Sequence, residues 1–391
     1  MLDASVGHVF VLGEMTMTLR KAAWRLKVAR CLLGIAARRP IVGPLRVSLE
    51  ITHLCNLSCS FCESHGSLQD RPITERRRYA GGSHTMDPGT VAQLCRSLVR
   101  LRVGGVDFSG KGDPIAHPEL AEIVRMIKRA GLRCCLFTNG TLARPDLAET
   151  LVESRLDWLN LSLNAASPEV YARIAGKDLW DAAMGFLREV LDRRRSRGTR
   201  LPVVGASYVL CRDNIADVER MVDLCCELHL DDVKWVVMGE LPQTLHLQLS
   251  ADEVSRTLTA IPGWTRRLDA AGVRHNLRRL DEELRLRVGA ERRQENPLQR
   301  SLPCYDGWMF SVIGPDGTVV PCCYCEDVRL GNIKEEDYCD VWYGERYRKF
   351  RTRALTMPRT GKPPCWECFT SCNRAADNAR IHRLLGPLRP H

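Results

Sequence analysis

The sequence predicts an α/β fold built on a parallel sheet, and three observations predict it. Short β-rich runs recur at "LRVSLEITH" (45–53), "VGGVDFSG" (103–110), "LRCCLFTNG" (132–140), "LDWLNLSLN" (156–164), "VVGASYVL" (203–210) and "DVKWVVMG" (232–239). Helical patterns separate them at 87–101, 118–130, 145–154, 168–195 and 214–229. Strand alternating with helix implies parallel strands joined by right-handed crossovers. Polar and glycine-bearing segments, "CNLSCSFC", "SGKGDP", "TNG" and "SLNAAS", follow the C-terminal ends of the runs, where parallel α/β folds place their chemistry. Six units predict a closed or partial barrel, with a doubly wound sheet as the alternative.

Taken in order, residues 1–44 form an N-terminal segment. Its stretch "MTLRKAAWRLKVARCLLGIAARRP" (17–40) reads as a basic amphipathic helix, expected to pack on the body rather than lie on a membrane. The barrel occupies 45–240. Pro88, Pro118, Pro145 and Pro168 fall at or near the first turns of its helices, where the missing N–H costs nothing. Residues 63–86 are a long polar insertion of the kind that forms lids. His65, His84 and Arg76 to Arg78 within it are candidates for meeting an acidic or phosphorylated substrate, against a plain reading as solvated loop residues. Glu240, after the sixth run, is a candidate general base. Residues 241–300 read as a helical linker with a charged, solvated stretch at 281–295. Residues 301–375 form a C-terminal unit opened by a hairpin around Pro315-Asp316-Gly317, and 376–391 are a tail.

Composition narrows the class. The chain has 391 residues, 45% hydrophobic and 27% charged, and a formal net charge of +10. That charge comes from arginine scattered along helical stretches, which reads as a solvated surface rather than a nucleic-acid site. No apolar run reaches the length of a membrane span, and no signal peptide opens the sequence. The expectation is a cytoplasmic protein. In such a compartment its 18 cysteines are not a disulfide framework. Cys95, Cys134, Cys135, Cys211, Cys225 and Cys226 lie in apolar patterns and read as small hydrophobes. The others gather near the two ends.

Cys55, Cys59 and Cys62 stand within eight residues after the first run, with no fourth thiol nearby. A [4Fe–4S] cube held by three thiolates keeps one iron without a protein ligand, free to chelate a small molecule. A zinc site with a distant fourth ligand is the alternative. At the other end, Cys304 and Cys322 bracket the hairpin, and "KPPCWECFTSC" adds Cys365, Cys368 and Cys372. Four thiolates from a hairpin and a returning loop enclose a second cluster or a zinc ion.

The C-x3-C-x2-C loop after a first strand resembles the radical S-adenosylmethionine (SAM) superfamily. "SGKGDP" (109–114) lies where that family has a Gly-Gly-Glu-Pro segment, with Lys111 and Asp113 as departures. "FTNGT" (137–141) resembles its third strand end, and "SLNA" (162–165) its Ser-Leu-Asp-Gly segment near the ribose. The resemblance implies a partial (β/α)6 TIM-like barrel and assigns cofactor contacts. These are Phe61 beside adenine, Gly112, Asp113 and Pro114 near the methionine, Thr138 and Asn139, Ser162 and Asn164 near the ribose, and Arg173 toward the methionine carboxylate. The C-terminal unit, with its "GNI…VW" continuation, is similar to the SPASM/Twitch extension, a hairpin-and-helix domain. The shorter Twitch form implies one auxiliary [4Fe–4S] cluster on Cys304, Cys322, Cys365 and Cys368, leaving Cys323, Cys325 and Cys372 over. A swap of Cys323 for Cys322 or Cys372 for Cys368 stays open.

That layout implies a 5′-deoxyadenosyl radical made with an electron from a flavodoxin- or ferredoxin-type donor. Hydrogen would leave a sugar- or aminocyclitol-like substrate, as in the dehydrogenases of aminocyclitol antibiotic pathways, and the auxiliary cluster would take the second electron. An N-terminal segment of 44 residues looks short for a fused leader-peptide domain, which favours this oxidoreductase reading. The alternatives are a maturase of a ribosomally made peptide, a redox-neutral sugar epimerase or dehydratase, and an iron–sulfur electron carrier.

Overall fold

The predicted runs form strands in the predicted order: β1 (Arg46–Leu49), β2 (Val106–Phe108), β3 (Cys134–Thr138), β4 (Trp158–Ser162), β5 (Val203–Leu210) and β6 (Asp232–Val237). Each pairs in parallel with the next. The order never reverses, and β1 and β6 do not meet. The result is a partial barrel; a doubly wound sheet would show a switch point in its strand order. The structure is a computed structural model that describes residues 17–66, 83–238, 242–288, 302–323, 325–360 and 375–386.

Helices α1 (Met17–Ala36), α2 (Pro88–Arg100), α3 (Leu120–Arg129), α4 (Leu147–Glu153), α5 (Pro168–Ala175), α6 (Trp180–Ser196) and α7 (Val218–Glu227) cover and flank these strands. Local chemistry sets their ends. Asp87 caps α2 by accepting the Thr90 N–H, and Pro88 takes the first turn. The apolar face of α2 (Val91, Leu94, Cys95 and Leu98) is buried in the main core. The single helix expected over 168–195 is two. Gly176, at φ 71°, ends α5 in the left-handed region, and a residue there cannot continue a right-handed helix.

The sheet runs past the six expected strands on both sides. After α8 (Ala251–Ala270), entered through a Ser250/Glu253 capping box, β7 (Arg274–His275) pairs in parallel with β6. Residues 241–300 therefore add an edge strand as well as α8 and α9 (Leu277–Val288). On the opposite side, beyond α10 (Asp306–Met309), β8 (Phe310–Ile313) pairs in parallel with β1. The hairpin continues through β9 (Thr318–Val320) and β10 (Gly331–Asn332). The order among the described residues is β10-β9-β8-β1-β2-β3-β4-β5-β6-β7.

Helices α11 (Tyr338–Tyr343), α12 (Glu345–Thr360) and α13 (Ala375–Leu385) complete the C-terminal unit. Arg351 on α12 is buried between the Trp342 and Tyr347 rings, 4.5 and 4.4 Å from their centroids, and donates to the Gly307 carbonyl at 2.7 Å. Helix α1 packs on the body as expected, placing Cys31 and Ile35 in a buried cluster with Leu45, Tyr305, Trp308 and Ile381. Five of the six cysteines read as small hydrophobes are buried, and Cys226 is half-buried. Among the described residues no helix is long and apolar enough to cross a membrane.

Candidate functional site

The cysteine loop leaves β1 and docks on the C-terminal end of α5. The Ser58 N–H donates to the Ala175 carbonyl at 3.1 Å, and the Ser60 N–H to Ile174 at 2.9 Å. The break at Gly176 leaves room for this seat, because a Cβ there would stand 3.0 Å from the Ser58 carbonyl oxygen. The loop then closes on itself at Gly66, where a Cβ would fall 2.1 Å from the Cys59 oxygen.

Backbone N–H groups point at its sulfurs. Cys55 Sγ accepts from Leu57 at 3.5 Å, and Cys62 Sγ accepts from Ser64 and His65 at 3.4 and 3.3 Å. Such donors favour thiolates. Burial pushes the Cys55 thiol up to about 11 and Cys59 up to about 12, and the neighbouring sulfurs push the same way. Three adjacent thiolates therefore need a shared cationic partner, and an iron–sulfur cluster supplies one. Among the described residues no three His, Cys, Asp or Glu side chains close on a single metal ion. The donor set fits the cluster.

The second loop, after β2, meets the first at backbone distance. A Cβ on Gly112 would lie 2.5 Å from the Thr52 oxygen and 2.7 Å from the Leu54 oxygen, and the Asp113 N–H donates to that Leu54 oxygen at 2.8 Å. Asp113 is buried, and its carboxylate is fully engaged. Oδ1 accepts from Ile115 N and Thr138 Oγ1 at 3.0 and 2.6 Å, and Oδ2 accepts from Asn139 N at 2.6 Å. Burial raises its pKa, and these three donors oppose the rise. Asn139 in turn donates to Asn56 at 3.2 Å, inside the cysteine loop. Asp113, Thr138 and Asn139 are thus joined to Cys55, whose Sγ accepts from the Asn139 amide at 3.9 Å, through one hydrogen-bond network, and Pro114 opens the short helical turn that follows Asp113.

The other predicted cofactor residues divide. Phe61 packs on a cluster of Ile174, Cys211, Met238 and Leu247, next to the ends of β5 and β6. Ser162 ends β4 beside Ser207. Asn164 holds backbone: at φ 57° its Oδ1 accepts the Val209 N–H at 2.8 Å. Arg173 is exposed and donates to the Asp213 carbonyl at 2.7 Å, so here its guanidinium faces the loop after β5. Glu240, Arg76 to Arg78, Cys365, Cys368 and Cys372 lie outside the described residues.

In the C-terminal unit Cys304, Cys322 and Cys325 are buried in the same core, while Cys323 is exposed. Cys322 therefore points inward and Cys323 outward, and Cys325, expected as surplus, joins the inward set. Inward thiols beside a hairpin suit an auxiliary cluster.

Two side-chain pairs without an evident sequence signature lie between the two halves. Glu50 and His53 form a buried pair, Oε2 to Nε2 at 3.0 Å. Lys111, the departure from the family segment, pairs with Glu326 of the C-terminal unit. These four residues line a small cleft of about 60 Å³, open to solvent, whose far wall is the β8–β9 hairpin with Asp316 and the exposed Cys323. Glu50, a carboxylate placed directly after β1, was the available signal.

Residues 49–225 match the radical SAM superfamily, and residues 304–369 match the SPASM family of iron–sulfur cluster-binding domains. The PqqA peptide cyclase of Gluconobacter oxydans is 27% identical over 76% of this chain and 76% of its own length. That of Xanthomonas axonopodis pv. citri is 27% identical over 80% of this chain and 77% of its own. Among solved structures, Streptococcus suis SuiB bound to S-adenosylmethionine superposes with a TM-score of 0.61 at 16% identity, over 88% of this chain and 75% of SuiB. The chain carries a radical SAM domain and a SPASM domain. With them come S-adenosylmethionine on a [4Fe–4S] cluster and an auxiliary iron–sulfur cluster.

Proposed function

We propose that this chain is a radical SAM maturase that oxidatively modifies a ribosomally made peptide. The observation that carries the reading is the match to PqqA peptide cyclases over three quarters or more of both chains. The sequence alone favoured a sugar- or aminocyclitol-like substrate, partly from the short N-terminal segment; the relatives favour the peptide alternative.

When bound, the SAM-carrying cluster supplies one-electron cleavage of S-adenosylmethionine and abstraction of hydrogen from an unactivated C–H. The chain's own residues prepare the site. Cys55, Cys59 and Cys62 hold the cluster and leave one iron open. Asp113 locks the second loop to the third strand end, and Phe61 offers an apolar face at the ends of β5 and β6. Lys111 and Glu326 clamp the cleft, fixing the C-terminal unit against the barrel. Cys304, Cys322, Cys365 and Cys368 would hold the auxiliary cluster, which would supply a one-electron acceptor close to the barrel.

The test is anaerobic incubation of the reconstituted protein with S-adenosylmethionine, reductant and the short peptides encoded beside its gene. Mass spectrometry should show a peptide that has lost two hydrogens, in step with 5′-deoxyadenosine. Untouched peptides together with conversion of a cyclitol or sugar alcohol to a ketone would restore the dehydrogenase reading.

A further inference from the structure

Tyr171 takes no part in the contacts described so far. It lies on α5 one turn before Ile174 and Ala175, whose carbonyls hold the cysteine loop, and the i, i+3, i+4 spacing puts all three on one helix face. The residue is 1% exposed. Its ring packs edge-on against Trp180, with centroids 5.7 Å apart. Its hydroxyl is buried and has no hydrogen-bond partner among the described residues. Leaving a buried hydroxyl without a partner is costly, so a fold that keeps a tyrosine here, where phenylalanine would pack as well, points to an acceptor.

The surroundings narrow that acceptor. Cys55 and Cys59 pack against the buried core that holds Tyr171, and with Asp113 they are the groups that, after burial, raise the phenol's pKa, so the cysteine loop is the polar neighbourhood of the hydroxyl. Asp113 already accepts three hydrogen bonds, from Ile115, Thr138 and Asn139, which leaves the sulfur of the loop as the less satisfied acceptor. We propose that Tyr171 is a positioning residue whose hydroxyl donates a hydrogen bond to the iron–sulfur cluster on its Cys59 side, favouring the reduced state. Donors to cluster sulfur stabilise added negative charge and raise the reduction potential. This role is independent of the substrate class.

The experiment is a potentiometric titration of anaerobically reconstituted Tyr171→Phe, followed by electron paramagnetic resonance. The signal that changes on adding S-adenosylmethionine identifies the relevant cluster. We expect the equilibrium constant for reduction to fall about tenfold, a shift of about 59 mV to lower potential for one electron, with iron content and melting temperature unchanged. Tyr208→Phe removes another buried hydroxyl, bonded to the Asn214 carbonyl at 2.7 Å, and should leave the potential where it was. A fluorinated tyrosine at position 171 keeps the shape, donates more strongly and should move the potential up. This arm decides the matter if Tyr171→Phe loses iron or misfolds. A Tyr171→Phe potential equal to wild type, or no upward shift with the fluorinated residue, would reduce Tyr171 to a packing role.

Discussion

Replacing Gly112 by alanine tests how tightly the second loop is bound to the cysteine loop. The added Cβ would sit 2.5 Å from the Thr52 oxygen, 2.6 Å from the His53 carbonyl carbon and 2.7 Å from the Leu54 oxygen. All three are backbone atoms, each well inside ordinary contact, and none can rotate away. Overpacking of this kind costs about 1–3 kcal/mol. The 2.8 Å bond from Asp113 N to the same Leu54 oxygen stands in the path of any relief, and its loss adds about 1 kcal/mol. A total of about 2–4 kcal/mol corresponds to a melting shift of roughly 4–15 °C for a domain of this size. Because Leu54 precedes Cys55, the displacement should also weaken cluster loading. Calorimetry and iron quantification on Gly112→Ala measure both. Gly185→Ala is the control: it lies exposed on α6 with open space around it, and should gain about 0.5–1 kcal/mol. If Gly112→Ala melts within a degree of wild type and binds full iron, the close approach of the loops is not what selects glycine.

Other outcomes follow from the same geometry. Cys55→Ala, Cys59→Ala and Cys62→Ala should each abolish 5′-deoxyadenosine formation, and a wild-type rate from any of them would remove that thiol from the cluster assignment. Lys111→Met and Glu326→Gln should show a coupling of about 1–2 kcal/mol in a double-mutant cycle, since both side chains are less than one fifth exposed; a coupling below about 0.3 kcal/mol would mean the pair is solvent-screened. Asp232 on β6 is pushed up to about 6 by burial, against the pull of Arg274 and Lys234. Its folded pKa lies above its unfolded one, so wild-type stability should fall as pH rises from about 4 to about 6. Asp232→Asn should therefore be more stable than wild type at pH 7 by about 1–3 kcal/mol, with no advantage below pH 4; parallel pH curves for the two proteins would refute this.

Much of the barrel was legible because its signals are local. Alternating apolar runs, prolines in first turns and three thiols in eight residues each act over a few positions. The Pro315-Asp316-Gly317 turn is of the same kind. What stayed hidden depends on partners distant in sequence. Nothing near Phe310 announces that it pairs with Arg46, nor does Lys111 indicate Glu326. Asn164 was read as a cofactor contact from its place in "SLNA", yet its left-handed backbone and bond to Val209 give it a structural task. Gly176 looked like an interior glycine in one long helix, until the docking of Ser58 and Ser60 gave the break a purpose.

The pairing of β8 with β1 also shapes how the chain is made. During synthesis β1 emerges early and gains β2 within about sixty residues, but its other edge waits for residue 310. At ribosomal rates of about 5–20 residues per second, that edge stays open for tens of seconds. An unpaired inner strand is a template for wrong partners, and contacts so far apart in sequence form slowly. The open edge leads directly into Glu50, His53 and the cysteine loop. A cluster inserted before β8 arrives would meet a loop anchored on one side only, so loading is best timed after the C-terminal unit has joined the sheet.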